Sequence, residues 1–188
     1  LDNSIDYQIP IAGLGRWFRT EERNFLSTKT RYLHACPKKS AKIRSSYQQL
    51  ANGKTLVGIS WKSTGISDTR AKIKSIILEN WHPILSRQNC FFINLQYGNI
   101  KQEIEEHISN KHDISLYLDN DIDPLGNLDD FAAQVAALDL VISTSNTTVH
   151  MAGALGKTVW TLLPYIPDWR WMLKREDTPW YPSMKLFR

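Results

Sequence analysis

Asn146, Thr147, Thr148 and His150 crowd into one short stretch, and each carries a group able to hold an anion. They stand in "STSNTTVHMAGALG", directly after the apolar run of Leu140, Val141 and Ile142. If Asn146 or Ser145 caps a helix there, the N–H groups of Thr147, Thr148, Val149 and His150 fall in its first turn. Such donors lack partners inside the helix, and the helix dipole adds partial positive charge. The turn then suits a phosphate, and the threonine hydroxyls extend it. Plain N-capping before a small-residue helix explains the same letters equally well. His150 alone also reads as an ordinary satisfied polar residue. Asn146-Thr147-Thr148 matches the N-glycosylation sequon, which at a buried strand-to-helix turn is coincidental.

Three further residues stand where they could complete such a site. Lys62 follows the strand-like "KTLVGISW", so its ammonium would overhang the end of that strand. Paired with an anion-binding turn on another strand, it becomes half of a diphosphate clamp; alone it is a solvated lysine. Gln96 ends "CFFINLQ" and either bonds a ligand or simply closes the strand. Asp130 in "NLDDFAAQVAAL" reads first as a dipole partner in a helix's opening turn, and second as a ribose contact. The acidic "DND" at Asp119 to Asp121 precedes Pro124 and Gly126, and turn formation accounts for it better than metal binding. No catalytic triad, Walker loop, zinc spacing or GxGxxG fingerprint is present, so no metal site and no catalytic base are assigned.

The surrounding pattern says what must position these residues. Strand-like runs at 54–61, 90–97, 114–119, 138–144 and 158–164 alternate with helical ones at 37–52, near 76–85, and at 100–110, 127–138 and 147–156. Strands alternating with helices of about ten residues make βαβ units, hence a Rossmann-like α/β fold with a parallel sheet and helices on both faces. In such sheets ligands bind beyond the carboxyl ends of the strands, so the loops to watch are "KSTG", "QYGN", "DNDIDPLGN", "STSNTT" and "PYIPDWRW". Ala152, Gly153, Ala154 and Gly156 let the helix after "STSNTT" lie close to the sheet. Residues 1–35 show no sustained period and read as an arm or linker, and residues 36–188 as one domain with an aromatic C-terminal tail. That tail is expected to pack as an arm, with Trp169 or Arg170 able to face a ligand.

Composition sets outer limits. The 188 residues carry a formal net charge of +4 and are 42% hydrophobic. The basic residues are scattered, which fits steering of a phosphorylated small molecule better than a nucleic-acid face. Two cysteines give no disulfide framework, no apolar run approaches the ~18 residues of a membrane span, and no secretory signal is visible. The expectation is a cytoplasmic protein without a membrane span.

Over Thr55 to Arg188 the blocks "VGISWK", "FFINLQYG", "LDDFAAQVAALDLVIST", "NTTVHMAGALGKTVW" and "PDWRWMLKREDTPWYPSMKLFR" carry a resemblance, as does the opening "PIAGLGRWFR". The chain resembles bacterial glycosyltransferases associated with tetratricopeptide repeats, which are similar to heptosyltransferases and to the catalytic region of O-linked N-acetylglucosamine transferase. The resemblance implies the C-terminal half of a GT-B glycosyltransferase. It further implies an inverting, metal-independent enzyme without a cofactor, using a nucleoside-diphosphate sugar as donor. The acceptor, a protein or a glycan, is not specified, and a missing N-terminal domain would face this one. Lys62, Thr147, Thr148 and His150 fall where such enzymes hold the donor diphosphate; Gln96 and Asp130 fall near the nucleotide. Heptosyltransferase-like members often show an aspartate five residues before the motif histidine, where this sequence has Ser145, and this leaves the donor-sugar contact open. The alternative is a non-catalytic interaction domain that retains the fold and uses its aromatic tail for a partner.

Overall fold

A computed structural model describes residues 4–25, 31–63, 68–108 and 114–188. Six strands, β1 (Thr55–Ser60), β2 (Cys90–Asn94), β3 (Leu116–Tyr117), β4 (Leu140–Thr144), β5 (Val159–Leu162) and β6 (Met184–Phe187), form one sheet in the order β3-β2-β1-β4-β5-β6. Every neighbouring pair is parallel. The helices are α1 (Gly15–Phe18), α2 (Pro37–Ala51), α3 (Asp68–Ile73), α4 (His82–Leu85), α5 (Lys101–His107), α6 (Leu128–Ala137) and α7 (Thr147–Ala154). The Rossmann-like α/β fold expected from the alternating pattern is the fold observed.

Two hydrophobic cores lie on opposite faces of the sheet. Leu56 of β1 packs with Tyr47 of α2, Phe131 and Val135 of α6, and Val149 and Ala152 of α7. Val57 and Ile59, which point the other way, pack with Trp61, Leu78, Trp81 and Ile104. Alternation along a strand buried on both faces is what a covered parallel sheet requires. The chain passes from β1 to β2 on one side and from β4 to β5 on the other, so the order reverses between β1 and β4. At such a switch point the two connecting segments diverge and leave a crevice beyond the strand ends.

The structure adds or redraws several elements. The end of the aromatic tail, expected to be only a packing arm, supplies β6 as the outer strand, paired with β5 from Val159↔Met184 to Leu162↔Phe187. The helix expected near 76–85 divides into a 3-10 turn at Leu78–Trp81 and the single turn α4, because Pro83 fits the first positions of a helix but has no N–H to continue one. Helix α3 occupies part of the stretch read as a polar loop after β1, while residues 64–67 of "KSTGISDTR" lie outside the described residues. The helix after β2 is described to His107, and positions 109–110 of its expected span also lie outside. The aliphatic strand read at 114–119 pairs only through Leu116 and Tyr117.

The arm of residues before α2 is fastened to the tail and to α7. Backbone N–H groups of Tyr32 and Leu33 both donate to the Ala154 carbonyl, at 2.9 and 3.0 Å. Phe25 meets Trp180 edge-on at 4.8 Å, and Glu22 pairs with Arg175 at 2.9 Å. Cys36, just before α2, is exposed, and neither it nor the half-buried Cys90 forms a disulfide. Among the described residues no helix is long and apolar enough to cross a membrane.

Gly58, in the middle of β1, lies in tight packing on the helix-α7 face. A Cβ there would sit 2.4 Å from Leu138 Cδ1 and 2.5 Å from Leu95 Cδ1, both on fully buried side chains. Gly58→Ala is therefore expected to destabilise the domain by about 1–3 kcal/mol through overpacking. Urea denaturation checks this, with a lowered midpoint at unchanged slope.

Candidate functional site

Asn146 is the residue around which the switch point is built. It occupies the N-cap of α7, and its side-chain Oδ1 accepts from the Thr148 N–H at 2.9 Å and from the Ser143 hydroxyl at 3.2 Å. Its Nδ2 donates across the crevice to Ser60 Oγ at 2.7 Å and to the Lys62 carbonyl at 3.1 Å. Ser60 passes its own proton on to Gln96 Oε1 at 2.9 Å. That oxygen also accepts the backbone N–H groups of Trp61 and Lys62, at 2.9 and 2.8 Å. Ends of three strands are thus joined by one directional relay, Asn146 to Ser60 to Gln96. All three side chains are buried, so each bond forms where no water competes.

The relay decides what each candidate can do. Gln96 is 2% exposed, and its Nε2 donates to the Tyr97 carbonyl at 3.2 Å, so it braces the Lys62 backbone. Asn146 does the same from the other side, and the nitrogen that a sequon would offer for modification is bonded inside the protein. Of the two threonines, Thr147 is exposed at the helix start, whereas Thr148 is wholly buried with its hydroxyl unpartnered. All four first-turn N–H groups were expected to be open; the cap takes that of Thr148. Helix geometry leaves those of Thr147 and Val149 without intrahelical acceptors. The helix dipole, the exposed Thr147 hydroxyl and these N–H groups make the turn an anion site in form.

Lys62 stands beside this turn with its backbone fixed and its ammonium engaged. Nζ lies 2.6 Å from Glu103 Oε2 of α5, and both side chains remain partly exposed. Glu103's other oxygen accepts from the Trp61 indole at 2.7 Å. Glu103 was not among the sequence candidates. As the third residue of a helix it looks like any first-turn acid, and only the folded chain shows that its carboxylate brackets two consecutive residues of the β1 loop.

Asp130 is held elsewhere. It lies in the first turn of α6, whose cap Asn127 accepts from the Asp129 and Asp130 N–H groups, and its carboxylate pairs with Lys39 of α2. It lines a cleft of about 420 Å3 with Lys39, Tyr47 and Asp119, walled by α2, α6 and the loop after β3. Asp119 accepts from the Tyr47 hydroxyl at 2.6 Å and from the Asp121 N–H at 3.0 Å, the behaviour of a turn former.

His150 belongs to an aromatic cluster supplied by the tail. Its ring stacks on the buried Trp171 at 5.3 Å, Nδ1 lies 2.9 Å from the Tyr181 hydroxyl, and Nε2 lies 3.3 Å from Arg170 Nη1. A guanidinium can only donate, so Nε2 must be an acceptor, and the proton of the neutral ring sits on Nδ1, facing Tyr181. Burial, reinforced by the Arg170 charge, pushes the imidazole down to about 4. Tyr181 is bonded in turn to Tyr32, and burial raises its phenol well above the ordinary range. Gly153 makes room for this ring: a Cβ there would lie 2.5 Å from Tyr181 Cγ. The glycine expected to admit the sheet admits the tail instead. Ser145 accepts the Trp171 indole N–H at 2.8 Å, so its hydroxyl anchors the tail under α7. Trp169 and Arg170 flank His150, Trp180 and Tyr181 in an open cleft of about 310 Å3, and Lys74 pairs with Asp168 at 2.5 Å beside it.

No protein-family profile matches the chain. It is 35% identical over 156 residues to Protein FlbA of Caulobacter vibrioides, a match covering 83% of this chain and 25% of FlbA. Among solved structures it is similar to E. coli ADP-heptose LPS heptosyltransferase II, with a TM-score of 0.59 at 13% identity over 83% of this chain and 44% of that one. A family 9 glycosyl transferase from Veillonella parvula aligns with a TM-score of 0.59 at 10% identity, over 83% of this chain and 42% of that one. The chain therefore spans a quarter of the length of FlbA and under half of each enzyme. The structural likeness establishes the fold, that of one Rossmann-like half of a GT-B glycosyltransferase.

The depressed His150 pKa has a measurable consequence. The native ring binds its proton near 4, while the unfolded chain binds it near 6.5, so the unfolded state takes up protons first as pH falls. The contribution of His150 to stability is expected to be full above pH 6.5 and to decline by about 3 kcal/mol as pH falls through 4. NMR titration should find the His150 ring neutral at pH 5.5, and His150→Asn should flatten that part of the stability–pH curve.

Proposed function

We propose that the crevice between β1 and β4 binds the diphosphate of a nucleoside-diphosphate sugar, and that the chain is the donor-binding half of an inverting, metal-independent glycosyltransferase. The observation that carries this reading is the Asn146 relay, which fixes the start of α7 at the sheet's switch point beside Lys62. Bound there, the diphosphate meets the N–H groups of Thr147 and Val149, the Thr147 hydroxyl and the Lys62 ammonium.

In the reaction this arrangement fits, an acceptor oxygen forms a bond to the anomeric carbon as the bond from that carbon to the diphosphate oxygen breaks. The electron pair leaves with the diphosphate, and the fixed donors at the helix turn stabilise the charge where it develops. His150, neutral and bonded on both nitrogens, orients Arg170 toward the cleft rather than acting as the base. The acceptor's proton goes to a base on the facing half of a GT-B enzyme. The names of the structural neighbours, one of them an ADP-heptose enzyme, support a nucleotide-sugar donor. An association with tetratricopeptide repeats, a cytoplasmic location, and a protein or glycan acceptor belong to the same proposal.

A second reading is a non-catalytic interaction domain. It is favoured by the exposed aromatic residues Trp17, Tyr165 and Trp169, at 74%, 90% and 74% exposure. Donor binding by this half, with sugar transfer once the facing half is present, distinguishes the enzyme from the module.

Calorimetric titration of the full chain with UDP, GDP and ADP sugars is expected to show binding of at least one. Lys62→Ala should weaken it about tenfold or more, and binding should persist in the presence of a chelator; this half alone, without the facing base, is expected not to turn over. Absence of binding by every donor to folded protein would overturn the enzyme reading.

A further inference from the structure

The nucleotide reading treats Lys62 as half of an anion clamp, yet in this structure its ammonium belongs to Glu103. The two groups are 2.6 Å apart, with side chains 29% and 24% exposed. Glu103 is itself held in place, because its second oxygen takes the indole N–H of the fully buried Trp61. The backbone of Lys62 is held for a separate reason, its N–H bonded to Gln96 and its carbonyl to Asn146. Only the lysine stem is left to move. Helix α5 packs on one face of the sheet and α7 on the other, so Glu103 draws the ammonium toward the face opposite the helix turn.

We propose that Glu103 is a latch on Lys62, competing with the phosphates of an incoming ligand for the same ammonium. The inference rests on the nucleotide reading and adds to it how the site responds to charge. With the crevice empty, the carboxylate neutralises the lysine. A doubly or triply charged diphosphate at the α7 turn out-competes a single carboxylate, and the lysine crosses to it. A singly charged ligand gains less, so the latch also discriminates by ligand charge. Glu103 is thus a positioning residue, acting on the ligand through Lys62.

The test compares wild type, Glu103→Gln, Lys62→Met and the double variant of the full chain, titrated with UDP, GDP, ADP and inorganic pyrophosphate. Glu103→Gln keeps an oxygen for the Trp61 indole and removes the charge that holds Lys62. It should bind the diphosphates about three- to tenfold more tightly, the span expected when a partly exposed ion pair is released. The gain should vanish in the Lys62→Met background, where a purely structural role of Glu103 would still register. Glu103→Asp, which keeps the charge but shortens its reach, should fall between the two and serves if Glu103→Gln folds poorly. Equal or weaker binding by Glu103→Gln, or a gain that survives without Lys62, overturns the latch while leaving the nucleotide reading intact. No binding of any probe to wild type or variant overturns both.

Discussion

Asn146 has one amide with which to hold two strands and one helix, and the site's geometry follows from how it divides its bonds. Its oxygen turns inward to cap α7, and its nitrogen reaches to Ser60 and to the carbonyl of Lys62. Because Ser60 hands the chain of bonds on to Gln96, a change at any of the three leaves buried polar groups unpaired in the others. Breaking such a set costs more than the loss of one bond, since each orphaned group has already given up its water. The crevice is therefore rigid along its floor, where backbone donors wait, while the mobile charge sits on the Lys62 stem.

The tail gives the other side of the crevice a different character. Trp171 lies under α7 with its indole N–H on Ser145, His150 stacks on it, and Tyr181 closes against Gly153. A histidine walled by rings and bonded at both nitrogens loses its usual readiness to take a proton, and its neighbour Arg170 becomes the charged group on that side. Strand β6 continues from this tail into the sheet, so the aromatic cluster and the sheet edge are tied together by a short stretch of chain.

Much of the fold could be read from the order of segments: five of six strands are apolar runs, and α2, α5 and α6 place apolar residues at helical spacing, whereas α3 fell in a stretch read as loop. Strand β6 could not, because "MKLF" is four residues inside a run punctuated by tryptophan and proline, which reads as an arm. The site was legible in part. "STSNTT" after a buried strand pointed to a capped helix start, and Asn146 is indeed its cap. Which threonine faces outward was not legible, since Thr147 and Thr148 differ only in their angle around a helix axis that letters do not fix. Ser60 left a signal, a polar residue closing an apolar strand. Glu103 and the Ser145–Trp171 bond left none, because their partners are distant in sequence and meet only through tertiary packing.

The central claim is spatial: phosphates sit at the first turn of α7, between the ends of β1 and β4. A crystal structure of the full chain soaked with a nucleoside diphosphate addresses it most directly. The account predicts phosphate density within hydrogen-bonding distance of the Thr147 and Val149 N–H groups, with Lys62 Nζ moved from Glu103 onto a phosphate oxygen. A nucleotide bound instead along the Lys39–Asp130 cleft, or with its phosphates directed away from α7, would contradict it.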